Sequence, residues 1–279
     1  MEVRMADESQ VQTWQRDDAG TSWQRSQSFR NRFLAPATNL MLDLAELQAG
    51  HRVLDVAAGT GDQSLEAARR VAPDGYLLAT DLSASMLATA ARAAADARLT
   101  HMGTQVADAQ ELEVEPASFD RAICRLGLMF VPDKAKALAA IRRALKPGGK
   151  FATVVWGSAE KNPALTLHLE VVEPRLGPGD HPAMRVALSM GKAGLSEEAL
   201  GQAGFSEIAV QVVPADRHHA SVAAAMEHMS IGPAAETVNM LPEGEREAAW
   251  QEIGRRVQAY IGRDGVHIPG ELLVGVGTA

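Results

Sequence analysis

The sequence predicts an α/β protein with a doubly wound, mostly parallel sheet of seven strands and a helical cap formed by the N-terminus and late insertions. Short apolar runs alternate with helical patterns from residue 51 to residue 156, which is typical of parallel strands joined by helices. Because such crossovers are right-handed, helices are expected on both faces of the sheet. A chain of 279 residues, 46% of them hydrophobic, is also long enough to bury a core of this size.

Each predicted strand is a short apolar run bounded by a turn or by an acidic residue. The first strand follows a helix that carries Leu40, Leu44 and Leu47 on one face and ends near Gly50. Ser83 is expected to cap the helix after the second strand. The predicted strands lie at 51–56, 76–80, 104–107, 119–124, 150–156, 207–213 and 271–276, and the predicted core helices at 62–72, 83–95, 133–145 and 196–203.

Charge and cysteine content limit the partners and the location that we expect. The net charge of −8 and a pI near 5.5 disfavour a nucleic-acid partner, because an acidic surface repels phosphates. The single cysteine, Cys124, excludes an internal disulfide and a multi-cysteine zinc site, and its apolar strand favours a buried thiol. Residues 1–8 are polar and lack the apolar run of a signal peptide, and no run of 18 apolar residues predicts a membrane span. We therefore expect a cytoplasmic protein.

A glycine loop follows the first strand, in the segment Asp55-Val56-Ala57-Ala58-Gly59-Thr60-Gly61. Glycine lets the backbone adopt positive φ and approach a ligand closely. The helix that begins near Asp62 presents free N–H groups and the positive end of its dipole at the same place. The loop therefore suits a nucleotide-type cofactor, a dinucleotide pyrophosphate included, although a plain tight turn has the same glycine spacing.

Acidic residues close the next two strands and narrow the choice of ligand. Asp81 ends the second strand, where a carboxylate accepts hydrogen bonds from both ribose hydroxyls of an adenosine. Asp108 ends the third strand, where a carboxylate is placed to accept a hydrogen bond from an adenine amino group. Asp55 lies near the end of the first strand, so acidic residues close three consecutive strands. Since such a set rarely arises by chance, the pattern favours an adenosine cofactor.

In order and spacing, these features resemble the class I S-adenosylmethionine-dependent methyltransferases. The resemblance is to the branch that contains the ubiquinone and menaquinone biosynthesis C-methyltransferases and many bacterial small-molecule methyltransferases, and it extends over about residues 45–157. Ala57 is a departure, since the family often has a third glycine at this position. The segments that carry the resemblance are 53–61, 78–87, 108–109, 118–120, 124–130 and 144–150.

The resemblance implies a binding site for S-adenosylmethionine, with S-adenosylhomocysteine as the product. The first loop would line the methionine half of the cofactor, Asp81 would bind the ribose, and Asp108 would meet the adenine amino group. Arg125, at the end of the fourth strand, would lie near the methionine tail or the acceptor. The implied cofactor-binding residues are Asp55, Ala57, Gly59, Gly61, Asp81, Leu82, Met86, Asp108, Ala109 and Arg125.

The regular alternation stops after Trp156, and this predicts a core that is interrupted by cap segments. Residues 214–270 are expected to be mostly helical, and a helix from Glu243 places Trp250, Ile253, Val257 and Ile261 on one face. The predicted organisation is an N-terminal helical lid at 1–45, a cofactor-binding core at 46–157, a cap insertion at 158–195, core at 196–213, a helical cap insertion at 214–270, and the last core strand at 271–279.

The acceptor is expected to be a small molecule, either a secondary metabolite or a quinone-like compound. Methyl transfer from a sulfonium is an in-line displacement, to which binding contributes by aligning the reactants, and it requires no metal. Oxygen, nitrogen and carbon all stay open as the attacking atom. Apolar residues of the lid and of the strand ends are the candidates for the acceptor pocket: Trp14, Trp23, Phe29, Met129, Phe130 and Trp156.

A general base is needed only if the attacking atom carries a poorly acidic proton. Of the eight histidines, His168 and His228 lie in the predicted cap segments and are the candidates for this role. The adjacent pair His218 and His219 gives little indication of a metal site, because neighbouring side chains on a strand point to opposite faces.

Two other functions and one assembly question stay open. An NAD-dependent oxidoreductase would use a similar sheet, but the loop lacks the Gly-x-Gly-x-x-Gly pattern, with Ala57 and Ser64 at two of its positions. The other alternative is a protein that binds S-adenosylmethionine and catalyses a non-methylating reaction. For the assembly, a homodimer is a candidate.

Overall fold

A seven-stranded sheet forms the centre of the protein, and the computed structural model describes residues 27–177 and 184–279. Its strands are β1 (Arg52–Val56), β2 (Tyr76–Asp81), β3 (Met102–Val106), β4 (Phe119–Arg125), β5 (Leu145–Trp156), β6 (Ser206–Pro214) and β10 (Glu271–Thr278). The strand order is β3-β2-β1-β4-β5-β10-β6. The first five strands pair in parallel, whereas β10 runs antiparallel between β5 and β6. The predicted fold class is therefore confirmed.

The order of the strands determines where a ligand binds. The chain passes outward from β1 to β2 and β3, and then returns to the other side of β1 to form β4 and β5. The loops after β1 and β4 therefore diverge at one point of the sheet edge, and α/β sheets bind ligands at this kind of switch point. Four of the five residues of β1 are buried, as expected of a central parallel strand that is covered on both faces.

Helices cover both faces of the sheet, and the sequence explains how several of them begin. The Ser83 hydroxyl accepts a hydrogen bond from the Met86 amide, which confirms the predicted helix cap. Asp133 caps the helix after β4 in the same way, through the Lys136 amide. The helices that flank the sheet are α1 (Gln27–Leu44), α2 (Asp62–Val71), α3 (Ala84–Asp96), α4 (Lys134–Ala144), α6 (Met184–Ala187) and α7 (Leu195–Gln202).

Helix α1 joins the described N-terminal residues to the core. Leu34, Met41 and Leu42 are fully buried in the main apolar cluster, where α1 packs against β4, β5 and β10. The helix ends at Leu44, so the prediction that it continues to Gly50 is wrong. Glu46 adopts a φ of 51°, which interrupts the helix before the apolar spacing of the sequence has ended.

A second apolar cluster lies in the cap. It is formed by α5 (Pro163–Val172), α8 (Val222–Ser230), α9 (Pro233–Asn239) and α10 (Glu243–Val257), together with a small sheet. This separate cluster supports the proposed division between core and cap. The division is not complete, since Leu165, Ala187 and Met190 from the proposed insertion at 158–195 pack in the main cluster.

Residues 214–270 are mostly helical, as predicted, but they also form a small sheet that the sequence pattern did not indicate. Its strands are β7 (Arg217–His219), β8 (Ile261–Gly262) and β9 (Gly265–Ile268), in the order β7-β9-β8. Ile261 was expected on the face of the last helix, but it lies in β8 and is 60% exposed. Asp264 and Gly265 form a hairpin-type dipeptide, which is the local signal for these strands.

Candidate active site

A pocket opens at the carboxyl ends of β1, β2, β3 and β4, which is the edge of the sheet indicated by the strand order. Eight of the ten sequence-predicted cofactor residues line it: Ala57, Gly59, Asp81, Leu82, Met86, Asp108, Ala109 and Arg125. Asp62, Gln63, Leu126, Gly127 and Phe130 contribute to the same wall. The structure therefore brings together residues from four separate strand ends.

The glycine loop after β1 is shaped by contacts on both of its sides. Gly59 donates its amide to the Asp81 carboxylate at 2.8 Å, and this bond joins the loop to the end of β2. Gly61 has a φ of 83°, and a Cβ there would lie 2.7 Å from the Cβ of Ala90 on α3. Gly61 thus permits close packing of the loop on α3 and does not itself line the pocket.

Asp55 is also absent from the pocket wall, although the resemblance implied a contact with the cofactor. Its carboxylate is fully buried below the loop and accepts hydrogen bonds from the Ser64 hydroxyl and from Gln63. Both donors belong to the first turns of α2, so Asp55 fixes the start of α2 against β1. Burial raises the pKa of Asp55 to about 7.

This buried carboxylate predicts a specific dependence of stability on pH. Between about pH 4 and pH 7 the folded state keeps a proton on Asp55 that the unfolded chain has lost, so rising pH lowers the contribution of Asp55 to stability. The slope approaches about 1.4 kcal/mol per pH unit within that window. We expect D55N to remove this slope, which urea denaturation at a series of pH values will measure. Parallel curves for the wild type and D55N would contradict the assignment.

Asp81 is held in one orientation by backbone donors. Its two carboxylate oxygens accept from the amides of Gly59 and Ser83, at 2.8 and 2.9 Å. Burial raises its pKa, while these amide donors act in the opposite direction. The carboxylate therefore lies in the pocket wall in a fixed position, with lone pairs left over for further donors.

The end of β3 supplies a second carboxylate to the pocket. Asp108 accepts hydrogen bonds from the amide and side chain of Gln110, so it also caps the short turn at Ala109–Glu111. Leu82 and Met86 line the same pocket. Met86 is also the neighbour that a Cβ on Gly59 would meet, at 3.8 Å. The pocket thus combines two carboxylates with apolar side chains.

Asp62, which also lines the pocket, lies between two buried arginines. It is 3.2 Å from Arg30 of α1 and 3.5 Å from Arg125 of β4, and all three side chains are at most 8% exposed. Arg125 also donates to the Thr38 hydroxyl at 3.0 Å. Burial lowers the pKa of Arg30 to about 10. This network attaches α1 to the pocket.

The sequence pointed to Arg125 as a site residue. It did not indicate that Arg30, Thr38 and the carboxylate of Asp62 form a network with Arg125. Arg30 is 32 positions from Asp62, and Arg125 is 87 positions from Thr38. No local pattern predicts contacts at these separations. The one signal was the acidic residue at the first position of α2, which is common at helix starts in any protein.

Ala57 and Gly127 both line the pocket and lie close together, so substitutions at the two positions are expected to affect each other. A methyl group on Gly127 would lie 2.3 Å from the Cβ of Ala57, which itself adopts a φ of 56°. G127A is therefore expected to lower the free energy of unfolding by about 1–3 kcal/mol. A57G removes both the opposing methyl and the left-handed strain, so A57G/G127A should regain most of that loss. If urea denaturation shows that the changes in the free energy of unfolding caused by A57G and G127A simply add in the double variant, the two residues do not interact.

The residues predicted to line the acceptor pocket do not come together at one site. Phe130 lines the pocket, but Met129 is fully buried in the main cluster. Phe29 and Trp156 lie in an aromatic cluster beside the cap, where Phe33 of α1 is 6.2 Å from Trp156. Trp14 and Trp23 lie outside the described residues.

The two candidate bases also lie at the cap and not in the pocket wall. His168 of α5 is 1% exposed, and burial lowers its pKa to about 4. His228 of α8 is half-buried, with its ring 4.2 Å from Phe29 and its Nδ1 3.2 Å from Nδ1 of His219. His219 was not predicted as a site residue, but its ring also stacks on Phe29, at 4.9 Å.

The adjacent histidines point to opposite faces of β7, as expected of strand residues. His219 is buried, whereas His218 is exposed opposite His267 of β9. With Asp264, these two exposed histidines place three ligand-type atoms within 4.8 Å of one another. They lie on the outer face of the cap sheet and do not contribute to the pocket.

Comparison with known proteins agrees with this geometry. A methyltransferase domain family matches residues 53–149, which include the loop, both strand-end carboxylates and Arg125. A ubiquinone/menaquinone biosynthesis C-methyltransferase of Bordetella avium is 37% identical over 117 residues, which are 42% of this chain and 45% of that protein. The Cupriavidus taiwanensis enzyme of the same name is 38% identical over 152 residues, or 50% and 60%. The chain thus spans about half the length of these relatives.

Solved structures share the fold over most of the chain. A phosphoethanolamine N-methyltransferase of Haemonchus contortus, solved with S-adenosylhomocysteine, superimposes with a TM-score of 0.59 at 18% identity, and covers 96% of this chain and 58% of that chain. The cyclase SpnF superimposes with a TM-score of 0.52 at 22% identity, over 86% and 79%. At these identities the likeness is one of fold.

Proposed function

Because this chain carries a class I S-adenosylmethionine-dependent methyltransferase domain, we propose that the protein transfers a methyl group from S-adenosylmethionine to a small-molecule acceptor. The observation that carries the proposal is the pocket at the switch point, with Asp81 and Asp108 at neighbouring strand ends. Leu82 and Met86 line the same pocket and supply apolar surface. A site of this kind fits an adenosine, since it offers hydrogen-bond acceptors together with apolar side chains on which a purine can pack.

The pocket residues can be assigned proposed roles toward each part of the cofactor. Asp81, held by two backbone amides, would accept the ribose hydroxyls, and Asp108 would accept the adenine amino group. The charged end at Asp62 and Arg125 suits the amino acid part, which carries both an ammonium and a carboxylate group. When bound, S-adenosylmethionine supplies an electrophilic methyl group on a sulfonium.

The contribution of the protein is to align the reactants and to exclude water. Arg30 ties helix α1 to the pocket residue Asp62, and Leu34 and Met41 anchor the helix in the core, so its position relative to the pocket is fixed. Orientation of this kind supplies roughly 7–11 kcal/mol of a barrier in favourable cases. If the acceptor needs a base, we propose His228 before His168. His228 is half-buried, whereas burial lowers the pKa of His168 to about 4, which makes its imidazole a weak base.

The acceptor is proposed to be a secondary metabolite or a quinone-like compound. The relatives named as ubiquinone/menaquinone biosynthesis enzymes support a small aromatic acceptor, and the aromatic cluster of Phe29, Phe33 and Trp156 is compatible with one. Within residues 27–177 and 184–279, no helix has both the length and the apolar character that a membrane span requires.

Mass spectrometry tests the proposal directly. The protein is incubated with S-adenosylmethionine and a panel of phenols, quinols, amines and activated-methylene compounds. We expect S-adenosylhomocysteine to form together with a 14 Da gain on at least one acceptor class. Consumption of an acceptor without mass gain and without S-adenosylhomocysteine would instead favour the non-methylating alternative. Hydride transfer that depends on NAD would favour the oxidoreductase.

A further inference from the structure

Arg217 of β7 carries a buried positive charge that the described protein does not neutralise. The residue is 9% exposed, and its guanidinium lies over the rings of Phe33 and Trp156, at 4.9 and 5.2 Å. Among the described residues, none offers its buried Nη1 a hydrogen-bond acceptor. Burial alone lowers the pKa of Arg217, to about 10, with no carboxylate acting in the opposite direction. The group therefore remains charged at neutral pH.

The surroundings of Arg217 add further unsatisfied polar groups. His168, whose pKa is lowered in part by Arg217, is 1% exposed, and both of its ring nitrogens lack partners in the described part of the chain. His219 follows Arg217 at the i+2 position of β7, so both side chains point to the same buried face. His219 and His228 stack on Phe29. The cluster thus combines aromatic rings, hydrogen-bonding nitrogens and one cation.

The free-energy cost of burying the Arg217 guanidinium favours a role in ligand binding over a role in stabilising the fold. An unpaired charge loses its hydration free energy on burial. Cation–π attraction to the two aromatic rings recovers only part of that free energy. Replacement of such a group by an apolar side chain commonly stabilises a protein. A residue of this kind therefore indicates a binding function that is maintained at the expense of stability.

The position of the cluster connects it to the proposed reaction. Trp156 ends β5, beside β4, whose last residue Arg125 lines the cofactor pocket. Helix α1 contributes Phe29 and Phe33 to the cluster, and its Arg30 pairs with the pocket residue Asp62. The two sites are therefore adjacent along one helix and one sheet edge.

We propose that Arg217 binds an anionic oxygen group of the methyl acceptor, a carboxylate or a phenolate, while Phe33 and Trp156 pack against its apolar part. This inference rests on the proposed function, since it names the class of acceptor for the same site. His168 and His219 would supply further hydrogen bonds to the oxygens or to their neighbours. The acceptor would thus be an organic acid or an acidic phenol, and not a neutral or cationic compound.

Binding measurements on the full-length protein saturated with S-adenosylhomocysteine test this inference. The probes are benzoic, cinnamic and 1-naphthoic acids, each paired with its primary amide, and 4-nitrophenolate paired with nitrobenzene. Isothermal titration is expected to show at least tenfold tighter binding of the anion than of its neutral partner in one or more pairs. Preference for the acids alone assigns a carboxylate, and preference for 4-nitrophenolate alone assigns a phenolate. Equal affinity within every pair overturns the inference.

Variants of Arg217 separate binding from structure. R217Q should abolish the preference for the anion, R217K should retain part of it, and R255Q, which changes an exposed arginine of α10, should retain all of it. In the ligand-free protein, R217M should melt at or above the wild-type temperature, because the variant removes an unpaired charge. An R217M variant that melts well below the wild type, or that does not fold, would assign Arg217 a structural role and overturn the inference.

A failure of this inference can be distinguished from a failure of the proposed function. If S-adenosylhomocysteine binds but anions and neutral probes bind alike, only the acceptor class is wrong. If S-adenosylhomocysteine does not bind at all, the proposed function itself is wrong, and the acceptor inference is overturned with it.

Discussion

D62N is expected to lower the free energy of unfolding by about 3–5 kcal/mol. Asp62 is the buried carboxylate between Arg30 and Arg125, and its side chain is only 4% exposed. Without it, two buried guanidinium groups would repel each other, as they already do in part. Since this network attaches α1 to the pocket, D62N should also weaken the binding of S-adenosylhomocysteine. Urea denaturation and isothermal titration measure the two effects.

An exposed ion pair serves as the control for D62N. Asp43 pairs with Arg70 on the surface, where the Asp43 side chain is 65% exposed. D43N should change the free energy of unfolding by less than about 1 kcal/mol, because exposed pairs are screened by water. If D62N and D43N have equal effects, the buried network does not hold α1 in place.

D81A is expected to weaken the binding of S-adenosylmethionine by about 1–3 kcal/mol, which is the cost of losing hydrogen bonds to a charged group. In the proposed complex Asp81 accepts the ribose hydroxyls, and in the free protein it orients the loop through the Gly59 amide. The variant removes both contributions. Isothermal titration with S-adenosylmethionine and S-adenosylhomocysteine gives the change in affinity.

The matched control for D81A lies at the other end of the same strand. Asp74 is exposed in the turn before β2, away from the carboxyl ends that form the pocket. D74A should leave cofactor affinity unchanged. Unchanged affinity in D81A would contradict the ribose assignment, whatever the effect of that variant on stability.

The sequence was most informative where function depends on positions at the ends of strands. Asp81 and Asp108 were predicted from their places after apolar runs, and the structure puts both on one pocket wall. The apolar strands and turns that define the sheet are local patterns, so they could be recognised without tertiary information. Ser83 was recognised as a cap for the same reason.

Features that depend on distant contacts were not predictable in this way. Asp55 has the strand-end position of a ligand-binding residue, but Ser64 and Gln63 enclose it below the loop. Arg217 stands in a short strand that was not predicted within the mostly helical segment 214–270, and its importance follows only from the rings of Phe33 and Trp156. Burial without a partner is a property of the folded chain, and no spacing in the sequence encodes it.

The most direct test of the central claim is isothermal titration of the purified protein with S-adenosylmethionine, S-adenosylhomocysteine and NAD. Our prediction is saturable binding of both adenosyl compounds with one site per chain, and no binding of NAD at the same concentrations. Tight binding of NAD without any response to S-adenosylmethionine would contradict it.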